Sequence, residues 1–482
     1  MAFYDISNQA KPVSSLIKRA AICVVPSASV QEAATLMSEQ AVSCLLLLQD
    51  HQLVGIVTDR DIRNKAVAPG LDYNTPVHHI ASLSPVTVDA QATVFESLLV
   101  LTKHNIHHLP VVQGQQVLGV ITATSLMQTH SASPAAIAHD ISSQHDLTGL
   151  IQATAKTQEL QHSLASANAS AHSIGHIMTA ITDALTTRLI ELAQAQLGPA
   201  PVPFAWVAAG SQGRSEQTAR TDQDNCLVLD NSYDPAQHGT YFAALATFVC
   251  DGLHACGYVY CPGDMMATNT TWRVTLAQWQ AYFARWIEQP DPDALMLTCV
   301  FFDLRCVAGQ SALLNALRSD FLAKAQANGI FQTFMVGNAL SHKPALNWLG
   351  NLDWNAAKEH PASIDLKHNA IVPLVDLARV YALAQGASGV NTLDRLNQAT
   401  QEMAVSQVNQ ASAHDLRDTL AYLAKLRIQH QARQTANSIT PDNYLRAHEV
   451  SNFEKNRLKH AFKTIAALQK AIGRRHGAQQ LS

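Results

Sequence analysis

Two aspartates one residue apart, Asp222 and Asp224, stand at the head of an apolar run, Cys226 to Leu229. Upstream lies a second apolar run, Phe204 to Ala209, broken by Gly210-Ser211 and followed by a polar stretch with Arg214. In extended chain, residues i and i+2 share a face, so the two carboxylates are predicted to sit side by side. Such a pair repels, and one member tends to keep its proton unless a cation relieves it. Mg²⁺ is suited to the task, because it takes one or two carboxylates and completes its shell with water and substrate phosphates. Glycine lets backbone approach a phosphate closely, and the Ser211 hydroxyl can donate to it. Arg214 supplies a planar, permanently charged donor. These types at this spacing suit metal-assisted phosphoryl or nucleotidyl transfer.

The pattern resembles the nucleotidyltransferase superfamily, whose signature is Gly-Ser, a spacer, then Asp-x-Asp. It is more similar to the protein-PII uridylyltransferases, through Gly210, Gly213, Arg214, Glu216, Asp222 and Asp224. Closer still is a bacterial family of CBS-domain-containing nucleotidyltransferases. Its GSxGRxEQT and TDQDN pieces stand here at Gly210–Thr218 and Thr221–Asn225. The resemblance implies that Asp222 and Asp224 hold Mg²⁺, and that Gly210, Ser211, Gly213, Arg214 and Glu216 cradle an NTP, ATP or UTP. It also implies a third carboxylate on a neighbouring strand, which helps activate the attacking hydroxyl or hold metal. Asp303 fits that expectation: it ends the strand-like run Leu295–Asp303 and is followed by Arg305. Asp264, beside a Pro-Gly turn, is the alternative.

The elements that must place this site begin with an internal repeat. Val30-Gln31-Glu32 matches Val94-Phe95-Glu96, and Gly55–Thr58 matches Gly119–Thr122, at the same offset. Each copy reads helix, strand, short turn, strand, and two such units bury their apolar faces on each other. The copies resemble a pair of CBS domains, carried by GIVTDRDI at Gly55–Ile62 and GVITATSL at Gly119–Leu126. That resemblance implies an adenosine nucleotide held by Thr58, Asp61 and Thr122, with Arg60 and Arg63 flanking the phosphates. Ser125 replaces the second copy's aspartate. His104, His107 and His108 belong to the strand entry, which in the family reads IHHLPV, and are taken as structural.

Residues 131–200 carry a broken helical stripe, Leu160, Leu164, Ile174, Ile177, Ile181, Leu185, Leu189 and Leu192, ended by a proline-rich segment. They are expected to link sensor to catalytic unit. From residue 313 the chain reads as long helices with short connections, an antiparallel bundle. It resembles the family's substrate-binding domain, in which Lys367, Arg379, Arg427 and His430 are candidates to line the cleft. The expected architecture is multidomain α/β and α: a tandem CBS pair (10–130), a helical linker (131–200), a mixed α/β nucleotidyltransferase domain (201–312) and a helical bundle (313–482).

Composition limits the alternatives. The 482 residues exceed one ordinary domain, 47% are hydrophobic, and the formal net charge is −4. That balance points away from a general nucleic-acid or membrane-surface binder. The eight cysteines form no CxxC pair and read as reduced thiols. With no signal-like N-terminus and no apolar stretch of the roughly 20 residues a bilayer needs, a cytoplasmic protein is expected. CBS pairs often dimerise, so a homodimer is expected. The family often places a cyclic-nucleotide-binding domain ahead of the CBS pair; with the first unit so near the start of this sequence, none is expected here. The leading functional reading is Mg²⁺-dependent transfer of an NMP to an acceptor, which by resemblance is a protein such as a PII-like regulator, under adenylate control. The alternatives are a catalytically silent adenylate-sensing adaptor and a transferase acting on a small molecule.

Overall fold

The computed structural model describes residues 12–475, apart from Lys18, His51, 123–133, Arg220, 358–359, 402–409 and Ser438. The chain divides into two units, Met1–His139 and Asp140–Ser482.

In the first unit the repeat holds down to hydrogen-bond register. Strands β1 (Cys23–Val24), β2 (Cys44–Gln49), β3 (Gln52–Thr58) and β4 (Ser82–Leu83) form one sheet in that order. Strands β5 (Val88–Asp89), β6 (His108–Gln113) and β7 (Gln116–Thr122) form the other. Cys44 pairs with Thr58, and His108 with Thr122; the register slips at Leu47/Leu48 in one hairpin and at Val111/Val112 in the other. Both helices, α1 (Val30–Glu39) and α2 (Val94–Lys103), start with a reciprocal capping box, Ser29 with Glu32 and Thr93 with Glu96. These boxes satisfy backbone donors that a helix start would otherwise leave open. The sheets meet through Cys44, Leu46 and Ile56 against Val117 and Val120, and Ser43 hydrogen bonds His108 Nε2 at 2.7 Å.

The second unit is built on a four-stranded mixed sheet. Strand β8 (Phe204–Ala208) pairs antiparallel with both β9 (Asn225–Leu229) and β11 (Arg305–Gly309), and β10 (Arg273–Thr275) runs parallel to β9. All residues of β8 and β9 are buried. Part of the expected linker, 131–200, is built into this unit. Helix α3 (Ala171–Leu197) packs its stripe, Ile174, Ile177, Ile181, Leu185 and Leu189, inside this unit, and Arg305 of β11 forms a bidentate pair with its Asp183 at 2.7 and 3.0 Å. A stripe announces a buried face; it does not say which domain covers it.

The run Leu295–Asp303, expected as a strand, is mostly helix α6 (Pro292–Phe301), started by Asp291 with proline at its first turn. Short apolar runs are ambiguous between buried strand and buried helix, and here the Asp-Pro start decides. The aromatic face of α5 (Leu276–Glu288) is core as expected, with Trp279, Phe283 and Trp286 buried. One continuous core runs from Val207 and Val228 of the sheet to Leu377, Leu426 and Phe462 of the helices, so the sheet and the bundle fold as one body. The bundle includes α9 (Val372–Gln385), α10 (Thr392–Gln401), α11 (Gln410–Ala436) and α12 (Asn452–Arg475), with a small sheet of β12 (Ser363–Asp365) and β13 (Tyr444–Arg446).

Candidate functional site

Backbone geometry sets up the Gly-Ser turn. β8 ends at Ala208, Ala209 donates to the Asp224 carbonyl at 2.9 Å, and Gly210 takes a left-handed φ of 54°. A side chain at Gly210 would collide with the Asp224 carboxylate, so glycine is required on both counts. One short helical turn, Gly210–Gly213, then carries the partly buried Ser211.

The Asp-x-Asp segment lies just before β9 rather than within it, and the alternation still holds. Gln223 points inward and donates to the carbonyls of Cys250 (2.9 Å) and Tyr258 (2.8 Å). Asn225 is likewise buried and accepts from the Ala267 amide at 2.8 Å. Asp222 and Asp224 take the other face, each keeping some exposure. Burial, and then the neighbouring Asp222 carboxylate, push the Asp224 acid up to about 6, although the Cys261 thiol, Lys367 and Arg214 pull the other way. Lys367 Nζ approaches Asp222 Oδ2 at 3.4 Å. The donor set fits a hard divalent cation: two carboxylates, one of them carrying an electrostatic penalty that a cation would relieve.

Asp303, expected as the acceptor's proton acceptor, is held by three arginines. Its side chain is fully buried, and both oxygens are taken. Oδ1 accepts from Arg395 Nη1 (2.6 Å) and Arg379 Nε (3.3 Å); Oδ2 accepts from Arg379 Nη2 (2.6 Å) and Arg214 Nη1 (2.7 Å). Burial would raise this acid, but Arg379, Arg395 and Arg214 outweigh it and hold it far below the usual carboxylate range. A carboxylate so stabilised is a poor base. Asp264, the alternative, is exposed at a positive-φ turn, where Asn269 donates to it at 3.0 Å. Among the described residues no cluster of three acidic, histidine or cysteine side chains suits a metal.

Two further signature residues also face inward. Arg214 Nε donates to Glu216 at 2.8 Å, and the other Glu216 oxygen accepts from the Thr392 amide at the start of α10 (2.7 Å). Asn391 donates to the Arg214 carbonyl at 2.8 Å. A side chain at Gly213 would strike the Asp303 backbone. Arg214 and Glu216 therefore tie the turn to the bundle. Pattern-reading missed this because their partners lie far along the chain. It also missed Arg395, whose only local signal is an arginine in a polar helix start.

In the first unit Thr58 and Asp61 do meet. The Asp61 carboxylate accepts from the Thr58 amide (3.0 Å) and hydroxyl (2.7 Å), and Lys65 pairs with its other oxygen at 2.8 Å. Burial raises this acid, but Lys65 and Thr58 prevail and keep it below its ordinary value. Thr122 ends β7, opposite His108. Ser125 lies outside the described residues, as does the rest of the second motif beyond Thr122.

The architecture defines a multidomain α/β and α protein, with a tandem repeat joined to a transferase-type mixed sheet. Comparison with family models names both parts. The CBS domain matches residues 13–68 and 77–130, "Putative nucleotidyltransferase DUF294" matches 155–293, and "Putative nucleotidyltransferase substrate binding domain" matches 329–476. The chain belongs to this family of CBS-domain-containing nucleotidyltransferase-type proteins. Curated relatives include the CBS domain-containing protein YhcV of Bacillus subtilis, 30% identical over 116 residues, which are 23% of this chain and 83% of that protein. Hypoxic response protein 1 of Mycobacterium tuberculosis is 34% identical over 106 residues, 22% of this chain and 74% of that protein. Among solved structures, a CBS domain protein from Pyrobaculum aerophilum, complexed with AMP, shows 31% identity and a TM-score of 0.24, covering 25% of this chain and 92% of its own. No helix among the described residues is long and apolar enough to cross a membrane.

Proposed function

We propose that the second unit transfers a nucleoside monophosphate from an NTP to an acceptor hydroxyl, and that an adenosine nucleotide at the CBS pair regulates it. The observation that carries this is the like-charged pair Asp222 and Asp224, pressed against a glycine-serine turn that no side chain at Gly210 would permit. Asp222 and Asp224 would hold Mg²⁺, which would supply charge neutralisation at the reacting phosphates. Gly210 keeps the turn's backbone close to where those phosphates lie, and Ser211 offers them a hydroxyl. The acceptor oxygen bonds to the α-phosphorus, the α–β anhydride bond breaks, pyrophosphate leaves and the acceptor proton passes to solvent. Arg214 and Asp303 position the turn from behind. The acceptor would be a protein hydroxyl, as in the uridylyltransferases of PII regulators, and the protein would act as a cytoplasmic homodimer. At the CBS pair, Asp61 would accept from a ribose diol, with Thr58 beside it; Thr122 would serve the same ligand from the other repeat.

Incubation with labelled ATP or UTP, Mg²⁺ and cell extract tests the assignment. Transfer of label to a macromolecule, lost in Asp222→Asn, is the expected result; no transfer from any NTP sinks it. One observation favours a second reading, a silent adenylate-sensing adaptor: the third carboxylate is locked among arginines. That reading expects adenosine-nucleotide binding without label transfer.

A further inference from the structure

The bundle offers several basic side chains toward the sheet, and the structure sorts them. Arg379 is consumed by Asp303 and Asp376, Arg395 by Asp303, and His430 lies against Asp442 at 3.1 Å. Two remain. Lys367 follows β12 and reaches Asp222 only loosely, at 3.4 Å, with a third of its side chain exposed. Arg427, in the middle of α11, lies deep in the unit yet keeps some surface open to solvent. Its Nε donates to a neutral acceptor, Asn443 Oδ1, at 2.7 Å, and it forms no salt bridge among the described residues.

The nearby acids are already occupied. Asp365 accepts from the amides of Lys367 and His368 and from the His368 ring, while Glu216 holds Arg214 and the Thr392 amide. Asp222 and Asp365 still lie within electrostatic reach of Arg427, as do Arg214 and Glu216. Burial of the guanidinium disfavours its charge, and these acids offset that only in part. A deep cation lacking a counter-ion, with two nitrogens still able to donate, calls for an anionic ligand with several oxygens.

We propose that Lys367 and Arg427 are the bundle's half of a polyphosphate site, gripping the β- and γ-phosphates of an NTP whose α-phosphate lies at Asp222 and Asp224. This rests on the transferase reading and adds the source of its phosphate selectivity. Arg427 is suited to bridge two phosphate oxygens with its planar fork. Lys367, a flexible point charge, can leave Asp222 for the phosphates without rearranging the backbone. The bundle would thereby discriminate triphosphate from monophosphate. That role is distinct from acceptor recognition.

The test is equilibrium binding of each NTP and its NMP, with Mg²⁺, to the full-length protein in an Asp61→Asn background that weakens the CBS site. The parent should bind one NTP at least tenfold tighter than its NMP. Arg427→Gln and Lys367→Gln should each weaken that NTP by about tenfold or more, since each removes a charge-assisted hydrogen bond to the outer phosphates. NMP affinity should change less than about twofold, because only the outer phosphates are lost. Arg427→Lys should recover part of the loss. Should both glutamine variants bind the NTP like the parent, with unchanged melting, the phosphate assignment is overturned and the transferase reading stands. Should the parent bind no NTP, both fall. If Arg427→Gln folds poorly, Lys367→Gln, on a more exposed side chain, decides alone.

Discussion

The second unit holds two acidic sites built on opposite electrostatic principles. At Asp222 and Asp224 like charges are brought together, moderated by the Cys261 thiol, Lys367 and Arg214, and Asp224 is still pushed up to about 6. At Asp303 three guanidiniums surround one carboxylate and hold it far below its ordinary value. The first arrangement leaves an unmet demand for positive charge at the surface of the cleft, as a cation-binding site requires. The second leaves no demand at all, as a fastening between sheet and bundle requires. An aspartate's role is set by how its charge is balanced.

Three experiments would break or sharpen this contrast. The largest stability effect belongs to Asp303→Asn. It removes the carboxylate that three buried arginines share, and chemical denaturation should show a loss of about 3–5 kcal/mol. A loss under about 1 kcal/mol would mean that the cluster is not a fastening. Asp303 contributes stability that is present above its unfolded value and disappears as pH falls below about 4 toward the folded one.

Asp224 should behave with the opposite sign. Its folded-state acid is raised, so the folded protein binds that proton more tightly than the unfolded chain does. Metal-free stability should therefore fall as pH rises from about 4 to 6, by about 2 kcal/mol at most. Asp224→Asn should flatten that slope and, at pH 7 without divalent ions, melt above the parent, while abolishing transfer. An unchanged or lower melting point there would show that the two acids do not strain each other.

A smaller effect separates the sites by added cation. At Mg²⁺ about ten times its dissociation constant the parent should gain about 1.4 kcal/mol, seen as a rise in melting temperature. Asp222→Asn and Asp224→Asn should each lose most of that gain, whereas Asp320→Asn, which disturbs the partly exposed pair with Lys324, should keep it. Equal gains in all four proteins would place the cation elsewhere.

The repeat was legible because it is written twice. A capping box and a hairpin slip recur at one offset, so local chemistry agrees with the fold in both copies. Asp222 and Asp224 were legible because alternation in extended chain is a local rule that the buried Gln223 and Asn225 obey. The helix Pro292–Phe301 was misread as a strand, since apolar content alone does not fix the period.

The sequence by itself determined the tandem repeat, the glycine turn and the side-by-side acids, because each depends on residues within a few positions of one another. Only the tertiary structure decided that Asp303, Arg214 and Glu216 pair with one another and with the bundle, while Arg427 forms no salt bridge among the described residues. The arginine partners of Asp303 and the bundle partners of Arg214 and Glu216 lie 76 to 177 positions away, as for Arg379 with Asp303 and Asn391 with Arg214. The balance of a buried charge is a property of the neighbours that folding assembles, and no local pattern encodes it.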